Sequence, residues 1–162
     1  MIIRKAQLSD ISTVHELANK IWWPTYHGII PDDQIAFMLQ DMYSENALLN
    51  QMSRGYHFLI AEQNSIPVGF ASYSLTEPEN HVFKLQKLYV LSSEQGKGTG
   101  KKLIEEVISI VKMQHAEVLE LNVNRGNKAF HFYEKLGFEI YQQVDIRYHQ
   151  YVLNDFIMRK KI

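Results

Sequence analysis

No cysteine occurs among the 162 residues. Disulfides, thiolate zinc sites and a cysteine nucleophile are thereby excluded, and no metal is expected. No apolar run reaches membrane-spanning length, and the N-terminal Met1-Ile2-Ile3-Arg4-Lys5 enters strand-like sequence without a secretory pattern. The expected location is a reducing cytoplasm, with no membrane partner. Repeats, low-complexity tracts and linkers are missing as well, so the expectation is one domain, residues 1–162, with a core that needs no staples. A net charge of −1 lacks the basic excess of a nucleic-acid binder.

The distribution of charge says more than its sum. Residues 1–80 carry nine acids against four Lys and Arg, whereas residues 81–162 carry nine against thirteen. Such a split suits an anionic ligand on the C-terminal half and a cationic one on the N-terminal half; unevenly solvated surface charge would look the same.

One stretch organises the rest. Leu85-Gln86-Lys87-Leu88-Tyr89-Val90-Leu91 has the apolar, aromatic and β-branched content of a buried strand. After Gln95-Gly96-Lys97-Gly98-Thr99-Gly100-Lys101-Lys102, the residues Leu103, Ile104, Val107, Ile108 and Val111 form one stripe of a helix. Three glycines at a strand-to-helix junction expose backbone amides at the positive end of a helix dipole, a setting for phosphate or pyrophosphate. A glycine-rich turn capping an ordinary helix is the plainer alternative. A nucleoside-triphosphate loop ending on Gly100-Lys101 would need glycine at Gln95 and a hydroxyl at Lys102. A dinucleotide fingerprint from Gly96 or Gly98 would need glycine at Lys101 or Leu103. Neither count works, leaving Gln-x-x-Gly-x-Gly from Gln95 to Gly100.

Around this loop, periodicity predicts the order β-α-α-β-β-β-α-β-α-β-β. A first strand spans Ile2 to Ala6. A helix follows with Ile11, Val14, Leu17, Ala18 and Ile21 on its apolar face, its continuity broken at Pro24 and Gly28. A second helix starts near Pro31-Asp32-Asp33 and continues past a Ser44 cap to Arg54-Gly55. Strands are expected over Tyr56 to Glu62, Val68 to Leu75, His81 to Leu91, Glu117 to Val123, Phe138 to about Arg147 and Tyr151 to Arg159. Between the strand ending at Val123 and the one starting at Phe138 lies a helix with Ala129, Phe130, Tyr133 and Leu136, stopped by Gly137.

The loop and its strand resemble those of the GCN5-related N-acetyltransferases, whose pyrophosphate loop reads Gln/Arg-x-x-Gly-x-Gly/Ala. A second stretch, Asn127-Lys128-Ala129-Phe130-His131-Phe132-Tyr133-Glu134-Lys135-Leu136-Gly137-Phe138, is similar to the family's Asn-x-x-Ala-x-x-Phe/Leu-Tyr-x-x-x-Gly-Phe. Here the alanine follows the asparagine by two positions instead of three. The resemblance covers nearly the whole chain and implies a mixed α/β (α+β) fold. That fold has a mostly antiparallel sheet of about seven strands, helices on both faces and a cleft between its two middle strands.

The resemblance also implies an activity: transfer of an acetyl group from acetyl-CoA to a primary amine. Cofactor contacts would come from Leu88, Tyr89, Val90, Gln95, Gly96, Lys97, Gly98, Thr99, Gly100, Lys101 and Asn127. Side chains at Gly98 or Gly100 would crowd the pyrophosphate, the Val90 amide would act as a one-donor oxyanion hole, and Tyr133 would protonate the leaving thiolate. Gln86 sits near the position where many relatives carry a glutamate base, and glutamine cannot take a proton. Glu77, His81, Tyr26, His27 or a water chain are the substitutes. Trp22, Trp23, Tyr26 and His27 could line an acceptor pocket and stack on a cation; the tryptophans would equally serve as core. Trp22 to Met42 and the ending Asn154 to Lys160 resemble the bacterial spermine/spermidine acetyltransferase-like branch. The expected partner is therefore a small-molecule amine such as a polyamine, and a homodimer is left open. A protein N-terminal or lysine acetyltransferase and a non-catalytic acyl-CoA-binding module are the rival readings.

Overall fold

Two apolar stripes, one on the N-terminal helices and one on the helix after the glycine loop, close opposite faces of a single seven-stranded sheet. The computed structural model describes all 162 residues. The strands are β1 (Ile2–Lys5), β2 (His57–Gln63), β3 (Ile66–Glu77), β4 (Val82–Val90), β5 (Val118–Asn124), β6 (Glu139–Tyr148) and β7 (Tyr151–Lys161), in the spatial order β1-β2-β3-β4-β5-β7-β6. Every pair is antiparallel except β4 with β5. The helices are α1 (Ile11–Tyr26), α2 (Asp32–Tyr43), α3 (Glu45–Ser53), α4 (Thr99–Met113) and α5 (Ala129–Lys135). None is long and apolar enough to cross a membrane.

Leu103, Ile104, Val107 and Val111 of α4 are fully buried against Ala71, Tyr73, Leu119 and Leu121. On the other face, Val14, Leu17, Ala18 and Ile21 of α1 join Ile35, Leu39, Leu48, Ile60 and Phe70. The i, i+3, i+4 spacing of these residues directs one stripe of each helix at the sheet. Ser44 divides α2 from α3, its Oγ accepting the Ala47 amide at 3.2 Å, so the expected continuation is a separate, capped helix.

One helix end differs from its expectation. α1 runs through Pro24 and stops at His27, beside Gly28 with φ of 82°. Pro24 is exposed and removes only the bond that its missing N–H would have made to Lys20. Burial of Trp22 and Tyr26 in the same turns holds the helix together.

The β6–β7 hairpin reaches across to α2. Tyr148 donates to the Asp41 carboxylate, Tyr151 donates to Asp33 at 2.9 Å, and Phe37 packs among the rings of Tyr148, His149 and Tyr151. Residues 107 and 118 positions apart are thereby joined over the α1–α2 face of the sheet.

A lysine interrupts the core beneath α2. Lys87 is 4 % exposed, its Nζ lies 4.6 Å from the Tyr43 ring centre and 5.9 Å from that of Tyr56, and no carboxylate pairs with it. Burial lowers its pKa from 10.5 to about 8. Between those values the unfolded chain holds a proton there that the folded chain has released, so stability rises with pH across that window. Lys87→Met should add on the order of 2 kcal/mol at pH 7 and flatten the rise, as read from urea unfolding at pH 7 to 10. A variant with the wild-type pH profile would contradict this account of Lys87.

Candidate active site

The parallel ladder between β4 and β5 ends early. Val82, Phe83, Lys84 and Leu85 pair with Val118, Glu120 and their neighbours up to Leu121, after which β4 continues to Val90 and β5 to Asn124 without contact in register. A wedge-shaped gap therefore opens between the C-terminal ends of the two strands. At its apex β4 carries a bulge: Tyr73 faces Leu85 and Ser72 faces Lys87, leaving Gln86 as the extra residue. Gln86 Nε2 donates to Ser74 Oγ at 3.1 Å, turning its amide back onto β3.

Ladder alternation gives the gap its donor. Leu91 N–H bonds the Val68 carbonyl at 2.9 Å. Alternate amides of an antiparallel strand point opposite ways, so the Val90 N–H faces away from β3 and into the gap. Gly69, in register with Val90, makes this end of β4 possible. A Cβ there would lie 2.9 Å from the Tyr89 carbonyl oxygen and 3.2 Å from Val90 Cγ2. A glycine inside a strand was the available sequence signal for Gly69.

At the wide end of the gap sits the glycine loop. A short turn at Ser92–Glu94 leads through Gln95 to Gly96 and Gly98, both left-handed at φ of 79° and 82°, and α4 begins at Thr99. The first helical bond runs from Lys102 N–H to the Gly98 carbonyl at 3.0 Å. The amides of Gly96, Gly98, Thr99, Gly100 and Lys101 make no backbone hydrogen bond, so several unpaired donors cluster at the positive end of a 15-residue helix. Lys97 and Lys101 are exposed, held by Glu94 at 3.3 Å and Glu105 at 3.8 Å. The two later glycines differ. Gly98 has open space beside it and needs glycine for its backbone angle, whereas Gly100 has no such angle and a Cβ there would meet Phe132 at an ordinary packing distance of 3.4 Å.

Phenols line the narrow part. Tyr133 of α5 is 7 % exposed and packs on Phe132 and Phe138. Burial, reinforced by the nearby Tyr26 phenol, pushes its pKa well above the ordinary range, so it stays protonated at neutral pH. Tyr26 and Tyr89 share a hydroxyl hydrogen bond of 2.8 Å, and burial raises both phenols as well. Asn127 Oδ1 accepts the Ala129 amide at 2.9 Å, opening α5, with its side chain in the neighbourhood of the Tyr26 phenol. Leu88 and Val90 point to the α4 layer, Tyr89 to the α1 layer.

Residues expected at the acceptor end are spread more widely. Trp22 is 2 % exposed behind the phenols, its ring 4.5 Å from Tyr26 and 5.6 Å from Tyr89. Trp23 lies on the outer side of α1, and His27 is exposed and tied to Asp32 at 3.0 Å. Of the four, Tyr26 alone brings a polar group to the gap. Glu77 is engaged by Arg159 at 2.9 Å and by Asn80, and His81 occupies an exposed left-handed turn. Two residues not singled out from sequence do face this region: Asn122 of β5 and the buried Asp155 of β7, whose side chains meet at 3.4 Å. A buried aspartate is invisible in a strand pattern that only marks it as polar.

A family model described as an acetyltransferase (GNAT) domain matches residues 28–151. Spermidine N(1)-acetyltransferase of Thermoplasma acidophilum is 32 % identical, covering 98 % of this chain and 96 % of that protein. The [ribosomal protein bS18]-alanine N-acetyltransferase of Haemophilus influenzae is 34 % identical over 63 % of this chain and 65 % of its own. The crystal structure of PaiA N-acetyltransferase from Thermoplasma acidophilum in complex with coenzyme A superposes with a TM-score of 0.87, at 31 % identity, covering 99 % of this chain and 98 % of that one.

The glycine geometry has a measurable consequence. Gly98→Ala forces a left-handed alanine at the head of α4, a strain of about 1–2 kcal/mol. Coenzyme A affinity, read by isothermal titration, should fall roughly tenfold or more, with the fold kept by circular dichroism. Undiminished affinity would remove the left-handed Gly98 from the account of the loop.

Proposed function

The chain belongs to the GNAT acetyltransferase family, and from that premise we propose that it acetylates a primary amine of a small polyamine such as spermidine. It is an acyltransferase that draws on acetyl-CoA. The substrate reading is carried by the 32 % identity to a spermidine acetyltransferase along 98 % of the chain. All 162 residues act as one domain in this reading.

The residues present fit coenzyme A. The unpaired amides from Gly96 to Lys101 suit its pyrophosphate, and the edge of β4 freed by β5 suits its extended arm. Bound there, acetyl-CoA supplies an acetyl thioester. The Val90 N–H donates toward the thioester oxygen, where negative charge grows during attack. Tyr133, kept protonated by burial, would deliver a proton to the departing sulfur as the C–S bond breaks, and the proton given up by the attacking amine as the C–N bond forms would restore the phenol. The nearby Tyr26 phenol on the α1 side reinforces the protonated form of Tyr133. Gln86, bonded to Ser74, plays no part in proton removal.

The bS18-alanine acetyltransferase relative favours a second reading, acetylation of a protein N-terminus. Docking of the β6–β7 tip onto α2 through Asp33 and Asp41 supports a small acceptor over a broad peptide surface.

A thiol-release assay with acetyl-CoA against polyamines, amino acids, aminoglycosides and peptides tests the proposal. Spermidine or a close polyamine should be turned over fastest; preference for an N-terminal alanine peptide would replace it with the second reading. Acetyl-CoA should raise the melting temperature and ATP should not. Tyr133→Phe should lower kcat by roughly a hundredfold with coenzyme A affinity unchanged. The wild-type rate should show no loss from phenol ionisation until the pH passes the ordinary tyrosine value of 10.0, because the protonated form is required and burial raises its pKa. Unchanged turnover by Tyr133→Phe would remove Tyr133 as the proton donor.

A further inference from the structure

Asp155 is a carboxylate without a cation. It lies on β7, in register with Asn124 of β5, beside the end of the gap that Tyr26 and Asn127 close. Only 8 % of the residue is exposed. Its one side-chain hydrogen bond is a long one, 3.4 Å from Asn122 Nδ2 to Oδ2. Such a group costs several kcal/mol to bury, and structures normally offset that with a paired cation or several donors.

The charged groups around it do not supply this. Arg125 directs its guanidinium to the backbone carbonyls of Val144 and Asp155 and to the carboxylate of Asp145, at 2.7–3.1 Å. Lys84, on the same face of β4, influences both Glu120 and Asp155 electrostatically but forms an ion pair with neither. The Tyr26 phenol approaches from α1 and is already engaged with Tyr89.

A second acceptor lies alongside. The Oδ1 of Asn122 is buried and makes no hydrogen bond, while the Nδ2 of the same amide faces Asp155. A carboxylate with one long hydrogen bond and an amide oxygen with none thus lie on neighbouring residues in the wall of the acceptor gap. Their chemical complement is a group with several N–H donors and a positive charge.

We propose that Asp155 and Asn122 form the seat for an ammonium group of the acceptor other than the nitrogen that is acetylated. This deepens the amine-acetyltransferase reading and rests on it. An alkylammonium would satisfy the carboxylate with a charge-assisted hydrogen bond and give the Asn122 oxygen its first donor. An alcohol of the same shape brings one donor and no charge, so the pair selects for amines.

The test pairs Asp155→Asn with Asn122→Ala in the full-length chain. Steady-state thiol release gives KM for spermidine, and calorimetric titration of spermidine into protein saturated with coenzyme A gives Kd without turnover. Asp155→Asn should raise both by roughly 10- to 100-fold, as expected for a hydrogen bond to a charged group. Coenzyme A affinity should stay at the wild-type value. The melting temperature of the unliganded variant should rise, because a neutral isostere replaces an unpaired buried charge. Asn122→Ala should weaken spermidine in the same direction, and it keeps the proposal testable if Asp155→Asn fails to fold. Wild-type KM and Kd in either variant, with the wild-type chain still releasing thiol, would overturn the ammonium seat and leave the acetyltransferase reading intact. If the wild-type chain turned over no amine, the polyamine reading would fall instead, and loss of spermidine binding in Asp155→Asn would still decide whether the seat exists.

Discussion

The early end of the β4–β5 ladder is the constraint on which the rest depends. Pairing stops at Leu85 and Leu121, and each strand then runs on with one edge unpaired. Unpaired strand edges normally invite another strand. Here the gap stays open because β4 is held on its other side by β3, through Gly69 opposite Val90, and β5 is held on its other side by β7. An extended ligand arm can take the place of the missing strand, and the Val90 amide is presented to it by ladder geometry alone.

Two electrostatic ends serve the gap. At the wide end, left-handed glycines and the first turn of α4 gather amide donors suited to an anion. At the narrow end, three buried phenols keep their protons, the Asn122 oxygen on β5 has no donor, and Asp155 on β7 has only one long hydrogen bond. A donor-rich wall and an acceptor-rich wall therefore face one channel. The charge split between the two halves of the sequence is a faint projection of this. The finer division is within the C-terminal half, where α4 supplies donors and β7 supplies Asp155.

The glycine loop, the end of α5 and the element order apart from the α2–α3 division were legible because they depend on local rules. Left-handed φ selects glycine at positions 96 and 98, helical stripes repeat at three and four, and Gly137 with φ of 92° stops α5. The reading of Pro24 as a break was overridden from a distance, since Trp22 and Tyr26 are anchored by Tyr89 of β4 and hold the final turn. Gly100 has the same residue type as Gly98 without the left-handed angle, and a Cβ there would come into van der Waals contact with Phe132, thirty-two positions away. Position-by-position chemistry cannot separate those two glycines.

The sequence by itself determined the strands, the helices apart from the α2–α3 division, and the glycine-rich strand-to-helix junction, because each follows from the spacing of neighbouring residues. Tyr133 was a candidate only through the family resemblance. Tertiary structure alone decided where the ladder ends, that Trp23 and His27 face outward while Tyr26 faces in, and that Lys87 and Asp155 are buried without ion pairs. Burial and pairing of a charge depend on residues brought together from strands far apart in the chain, and no local spacing encodes that distance.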